Sequence, residues 1–327
     1  MTVQSKTQSF YQVIAEDFAR VDDIIRKQLV SDVPLVEQIA EYIISAGGKR
    51  LRPLLVLLAG NAVGKKGDDL CLLAGLIEFI HTSTLLHDDV VDASGLRRGR
   101  STANAIWGNA PSVLVGDFLY TRAFEMMVKL DSMHIMQVIS HATRIIAEGE
   151  VLQLSRVRDA STTEEIYMQV IRGKTAMLFE AATHSAGVLA KATPEQCEAL
   201  RCFGDALGIA FQLVDDLLDY RGSTDDLGKN VGDDLAEGKP TLPLIYAMKH
   251  GNVEQSAIVR KAIQKGGTDQ LELISQIVQE TGALDYTAQL ARSYAEKAIA
   301  YLQSAIPDSK YKDALIELTE FSVARTY

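Results

Sequence analysis

Residues 85–92 read LLHDDVVD, an aspartate pair and a third aspartate inside an apolar run, and residues 211–219, FQLVDDLLD, repeat the arrangement. Carboxylates repel one another and resist leaving water, so two such clusters call for a cause. At 100° per residue, Asp88 and Asp92 share one face of a helix, as do Asp215 and Asp219, while Asp89 and Asp216 lie to the side. His81, two turns before Asp88, and Gln212, three residues before Asp215, border these faces. Two carboxylates one turn apart can hold a hard cation, and Mg²⁺ takes few protein oxygens, several waters and substrate phosphates. A single DDxxD reads equally well as a helix end meeting solvent. Two copies, each followed by a loop with basic residues, favour the metal.

The helical period extends outward from both motifs. FYQVIAEDFARVDDIIRKQL (10–29) places apolar residues at three- and four-residue steps. Similar patterns predict helices over 34–46, 52–63, 68–92, 110–130, 132–157, 163–190, 194–220, 240–250, 254–265, 268–281, 284–305 and 309–325. Pro111, Pro194 and Pro307 suit first-turn or linker positions, and neither strand alternation nor a fixed repeat is found. The expected fold is all-α, one domain over residues 1–327; 47% hydrophobic content is enough to bury a large core. Two connections stand out, SGLRRGRST (94–102) and RGSTDDLGKNVGDDLAEGKP (221–240), each directly after an aspartate cluster. A loop of the second length inside a compact domain is usually functional or disordered.

Composition excludes several classes. The N-terminus, MTVQSKTQSFYQ, lacks the basic-then-apolar layout of a signal peptide. No charge-free apolar stretch reaches the roughly 18 residues of a membrane span, so no transmembrane segment is expected. Cys71, Cys197 and Cys202 have no metal-ligand spacing and suit reduced thiols, which points to the cytoplasm. A net charge of −10 disfavours nucleic acid as a partner.

Against that acidic background the cations are concentrated near the acidic motifs. GGKRLRP (47–53) sets Lys49, Arg50 and Arg52 after two glycines, a layout that can embrace a phosphate. Arg97, Arg98 and Arg100 follow the first cluster; Lys174 and Thr175 interrupt an apolar helix in IRGKTAMLFEAA; Lys229 and Lys239 punctuate the long loop. Together they suggest metal ions bridging aspartates to a polyphosphate, with Lys and Arg neutralising the rest.

GGKRLRP, LLHDDVVD with RRGR, GKT, and FQLVDDLLD with GKNVGDDLAEGKPTLP resemble the ordered signature of the trans-isoprenyl diphosphate synthases, over residues 6–325. VLVGDFLYTRAFEMM and AEGEVLQL are most similar to the bacterial long-chain members that build octaprenyl (C40) chains for ubiquinone. The resemblance implies an antiparallel helical bundle around a central apolar cavity, a homodimer, and farnesyl diphosphate or a similar allylic primer extended by isopentenyl diphosphate, the product passing to membrane enzymes. It implies Asp88, Asp92 and Asp215 as Mg²⁺ ligands, three ions in the substrate complex, with Asp89, Asp216 and Asp219 as water-mediated or outer partners. Lys49, Arg52, His81 and Arg98 resemble the isopentenyl diphosphate pocket; Arg97, Lys174, Thr175, Gln212, Lys229 and Lys239 resemble the contacts to the allylic diphosphate. Arg50 is left as a surface charge and His87 as structural.

Product length turns on Thr84 and Ser83, four and five residues before Asp88. Short-chain relatives commonly carry aromatic rings there; small side chains leave a tunnel open, with its floor at Met126, Met127, Met136 or Ile139. The alternatives are a shorter-chain geranylgeranyl or farnesyl diphosphate synthase, a terpene cyclase, a non-catalytic partner subunit, and a Ca²⁺-binding scaffold. A cyclase normally carries Asn, Ser and Glu in its second motif, and a non-catalytic subunit would have lost aspartates; here all six remain.

Overall fold

The computed structural model describes residues 9–221 and 232–324, and these are helical nearly throughout. In chain order the helices are α1 (Ser9–Gln12), α2 (Ala15–Gln28), α3 (Pro34–Ser45), α4 (Leu51–Ala62), α5 (Asp68–Val91), α6 (Ala103–Trp107), α7 (Asn109–Lys129) and α8 (Met133–Arg156). Then come α9 (Glu164–Ile171), a π-helical turn (Arg172–Ala176), α10 (Met177–Leu189), α11 (Pro194–Arg221) and α12 (Asp233–Glu237). The last are α13 (Leu242–His250), α14 (Val253–Lys265), α15 (Leu271–Glu280), α16 (Ala283–Ala305) and α17 (Lys310–Ala324). The all-α expectation is met with two differences. Leu96–Arg97 and Arg100–Ser101 pair as a small antiparallel hairpin, β1 and β2, inside the loop after α5. The single helix expected over 163–190 is interrupted by the π turn.

The described residues divide into two compact units. The first takes residues 9–141, 178–204 and 301–318; the second takes 142–177, 205–221, 232–300 and 319–324. In the first unit α4 is buried from Pro53 to Ala62 without a break, the mark of a helix packed on every side. Gly60 lets α4 meet α5: a Cβ there would lie 2.4 Å from Leu70 Cδ1. Helix α5 is long and apolar enough to cross a membrane by length and composition, but 78% of its most apolar window is buried inside the protein. It is a core helix, packed along α7 where Gly116 leaves room for the His87 ring.

In the second unit one cluster gathers Leu217, Leu244, Val259, Ile263, Ile274 and Val278, and another gathers Tyr167, Ile171, Ile209, Leu213, Val214 and Leu242. The second cluster holds the buried side of α11 and so fixes the helix that bears the second acidic motif.

Candidate active site

Both acidic motifs fall at helix C-termini. Asp88 and Asp89 occupy the last turn of α5 and Asp92 is its C-cap, with Ala93 in the left-handed region at φ 51°. Ser94 N–H donates to the Asp89 carbonyl at 2.9 Å and Ala93 N–H to Val90 at 3.3 Å, the paired bonds of a Schellman stop. Three carboxylates at the negative end of a helix are each disfavoured by about 0.3–1 kcal/mol until a cation joins them. Asp89 meets that need within the protein: it is fully buried and accepts from Arg97 Nε at 2.7 Å. Burial pushes its carboxyl pKa up and Arg97 draws it back down. Asp88 and Asp92 stand half-buried one turn apart, as the helix period required.

Beside them the basic loop is assembled. The β1–β2 turn places Arg98 at φ 53° and Gly99 at φ 73°, the two positive-φ residues of a type I′ hairpin. Arg98 donates to the Gly47 carbonyl and its guanidinium lies against Gly48, where an added Cβ would be 2.6 Å from Arg98 Cζ. Arg52 Nη1 lies 3.1 Å from His81 Nε2, and its guanidinium sits 4.6 Å from the centre of the Phe179 ring. An arginine always donates, so His81 accepts and is neutral. Burial, then Arg52, Arg98 and Arg97, hold its pKa well below the ordinary histidine value. Arg50 corrects the sequence reading: far from a surface charge, its side chain is 16% exposed and paired with Asp22, at φ 45° before α4. Lys49 gives its carbonyl to the Tyr11 hydroxyl. Arg52 and His81 are thus in contact in the first unit, Arg98 lies against the 47–48 loop that leads to the exposed Lys49, and the Asp89–Arg97 pair sits at the acidic motif.

In the second unit the π turn carries Lys174 and Thr175. A π turn inside a helix commonly marks a functional site, and glycine on α8 makes room for it: a Cβ on Gly149 would lie 2.7 Å from Lys174 N. Arg172 anchors the turn to Asp205 through two bonds, 3.0 and 3.2 Å. Lys174 Nζ donates to Glu150 Oε2 and Gln153 Oε1, both at 2.8 Å. Thr175 Oγ1 donates to Gln212 Oε1 at 2.8 Å, Gln212 Nε2 to Asp216 Oδ1 at 2.7 Å, and Tyr167 hydroxyl to Asp216 Oδ2 at 2.6 Å. Burial and the Asp216 charge hold the Tyr167 hydroxyl pKa far above its usual range, so it stays a donor. Asp216 therefore has both oxygens engaged and serves Gln212, whereas Asp219, fully buried, accepts from Asp234 N–H at the start of α12. Lys239 pairs with Glu237. Lys229 lies outside the described residues.

Sequence reasoning passed over Tyr167, Glu150 and Gln153. Tyr167 lies seven residues before Lys174, and Glu150 and Gln153 sit at i, i+3 within AEGEVLQL. The first spacing would have served in an unbroken helix, but nothing in the residues announced the π turn.

The expected length-setting residues are all in the first unit. Ser83 is buried and donates to the Gly116 carbonyl on α7; Thr84, half-buried, donates to His81 O. Met126, Met127 and Ile139 are buried and Met136 is half-buried. Met126 Cε lies 3.2 Å from where a Gly75 Cβ would be. Gly75 is about 20 Å along α5 from Asp88 at 1.5 Å per residue.

Among the described residues no three His, Cys, Asp or Glu side chains form a closed metal cage. Asp88 and Asp92, half-buried one turn apart, offer a hard ion two carboxylates. The polyprenyl synthetase family pattern matches residues 33–281. The chain belongs to the polyprenyl synthetase family. It is 54% identical over 315 residues to octaprenyl diphosphate synthase of Escherichia coli strain K12, covering 96% of this chain and 97% of that one. It is 50% identical to the geranyl-diphosphate-specific all-trans-nonaprenyl-diphosphate synthase of Rhodobacter capsulatus, covering 95% of this chain and 96% of that one. The crystal structure of a Caulobacter crescentus CB15 polyprenyl synthase, complexed with calcium and isoprenyl diphosphate, superimposes with a TM-score of 0.94 at 45% identity, covering 98% of each chain. Membership makes this polyprenyl synthetase an enzyme, a prenyltransferase with the all-α isoprenoid synthase fold.

Proposed function

We propose that this polyprenyl synthetase is a long-chain, all-trans enzyme with a main product near C40. It adds isopentenyl diphosphate repeatedly to an allylic primer such as farnesyl diphosphate, as one catalytic domain around an apolar cavity. The observation that carries the reading is the pair of aspartate-bearing helix ends, the first paired with Arg97 and the second joined through Gln212 and Thr175 to the turn that carries Lys174. Relatives at 50–54% identity named as octaprenyl and nonaprenyl synthases support the chain length.

Asp88, Asp92 and Asp215 would hold Mg²⁺, three ions in all, which when bound supplies positive charge to the leaving diphosphate. The residues of the chain divide the remaining work. Lys174, Thr175, Gln212, Arg97, Lys229 and Lys239 bind the allylic diphosphate, and they stabilise negative charge where it develops as the carbon–oxygen bond breaks. Lys174 is held for this by Glu150 and Gln153, and Gln212 by Asp216, which Tyr167 holds in turn. Lys49, Arg52, Arg98 and neutral His81 orient isopentenyl diphosphate so that its double bond meets the allylic cation, an advantage of proximity. The new carbon–carbon bond forms from those π electrons, and a proton leaves to the departing pyrophosphate. Apolar walls keep water from the cation.

The enzyme works in the cytoplasm as a homodimer and passes its product to membrane enzymes of quinone synthesis. Leu114, Val128 and Met133, 63–70% exposed on α7 and α8, are apolar surface that a second copy would cover. Labelled isopentenyl diphosphate with farnesyl diphosphate and Mg²⁺ tests the reading. Incorporation abolished by excess EDTA supports it, and incorporation indifferent to EDTA overturns it.

A further inference from the structure

Tyr167 meets the second acidic motif from α9. It is 4% exposed, packed in the cluster that holds the buried side of α11, and its hydroxyl donates to Asp216 Oδ2 at 2.6 Å. Asp216, itself 2% exposed, accepts at Oδ1 from Gln212 Nε2 at 2.7 Å, and Gln212 Oε1 accepts from Thr175 Oγ1 at 2.8 Å. Chemistry settles the direction of each bond. Donors on both oxygens of Asp216 suit an ionised carboxylate, which can only accept, so Gln212 must turn its nitrogen and not its oxygen toward it. The amide oxygen then faces Thr175 and takes the hydroxyl proton. An amide nitrogen carries two hydrogens: one goes to Asp216, and the second is the one Gln212 can give to a phosphate oxygen. A flipped amide would instead set two buried acceptors against each other.

We propose that Tyr167 is a positioning residue for the allylic substrate: through Asp216 it fixes the Gln212 amide, with its oxygen on Thr175 and its second N–H available to the diphosphate. The proposal rests on the reading that Gln212 binds that diphosphate. Without the Tyr167 hydroxyl, the Asp216 carboxyl loses a charge-assisted bond that opposes its rotation, and the amide it orients loses its fixed seat. A Tyr167 that merely packed α9 against α11 would leave a different trace. Tyr286 supplies the comparison: its hydroxyl donates to Glu164 Oε1 at 2.7 Å, on α9 one turn before Tyr167, and its ring packs against the same cluster. That bond also joins a phenol to a carboxylate, but it ends on Glu164 rather than on Asp216.

Steady-state kinetics of the full chain, with each substrate varied in turn, decide the matter in Y167F, Q212A, the double variant and Y286F. Q212A should raise KM for farnesyl diphosphate about tenfold, the worth of one charge-assisted contact. Y167F should raise the same constant about threefold to tenfold, with KM for isopentenyl diphosphate within about twofold. Because Tyr167 acts through Gln212, adding Y167F to Q212A should change KM for farnesyl diphosphate by less than about twofold. Y286F should also leave it within about twofold, and Tyr167→p-aminophenylalanine, which keeps a donor, should leave it near the wild-type value. An unchanged KM in Y167F, beside a raised one in Q212A, overturns the proposal alone. So does a full Y167F effect in the Q212A background, or an equal effect in Y286F; either assigns Tyr167 to the packing of α9. An unchanged KM in Q212A removes the subsite reading and the proposal with it. If Y167F fails to fold by circular dichroism, the p-aminophenylalanine variant carries the test, and a raised KM for farnesyl diphosphate there overturns the proposal.

Discussion

Asp88→Ala separates a functional carboxylate from a structural one by what Mg²⁺ does to the melting point. Asp88 lies in the last turn of α5, one turn from Asp92. With Mg²⁺ and pyrophosphate at about ten times their apparent Kd, the wild type gains about 1.4 kcal/mol by mass action, a rise of about 2 °C in Tm for a chain of this size. The variant should gain little. Differential scanning fluorimetry in EDTA, then in Mg²⁺ with pyrophosphate, reads the gain in each. A variant that gains as much as the wild type on adding Mg²⁺ and pyrophosphate would refute the reasoning.

The remaining expectations are narrower. His81 has its pKa depressed in the folded chain, so the unfolded chain binds the extra proton as pH falls below about 6.5. That stability is present above the unfolded pKa and is lost on acidification, by up to about 1.4 kcal/mol per pH unit. His81→Gln should flatten the loss between about pH 6.5 and 5, and urea midpoints that keep the wild-type slope there would contradict it. Ser83→Phe should shift products towards C15–C20. Because Ser83 is buried on the Gly116 carbonyl, it should also cost about 1–3 kcal/mol by parting α5 from α7. Wild-type chain length at good activity would remove Ser83 from the tunnel. Sedimentation should show a dimer at micromolar concentration, and Leu114→Glu with Val128→Glu should weaken it; a fully active wild-type monomer would refute the dimer.

Much of the fold was legible because one periodicity governs the chain. The helix expected over 68–92 is α5 at Asp68–Val91, and the one expected over 194–220 is α11 at Pro194–Arg221. Three departures have local causes. The β1–β2 hairpin is made by a two-residue turn at Arg98–Gly99, too short to leave an alternating pattern. The π turn at Arg172–Ala176 depends on the close approach of Gly149 to Gly173, a pairing across distant sequence. Arg50 looked like a surface charge because Asp22, its partner, lies on another helix. The candidate site was legible as residue types but not as partnerships. Asp88 and Asp92 share a face as the helix period requires, yet Asp216 turns out to hold Gln212 and Tyr167, and Lys174 to rest on Glu150 and Gln153.

The most direct measurement is the product chromatogram from purified chain given labelled isopentenyl diphosphate, farnesyl diphosphate and Mg²⁺. An all-trans C40 diphosphate should dominate, formed through shorter intermediates. Release of a cyclised hydrocarbon, or products that stop at C15–C20, would contradict the assignment.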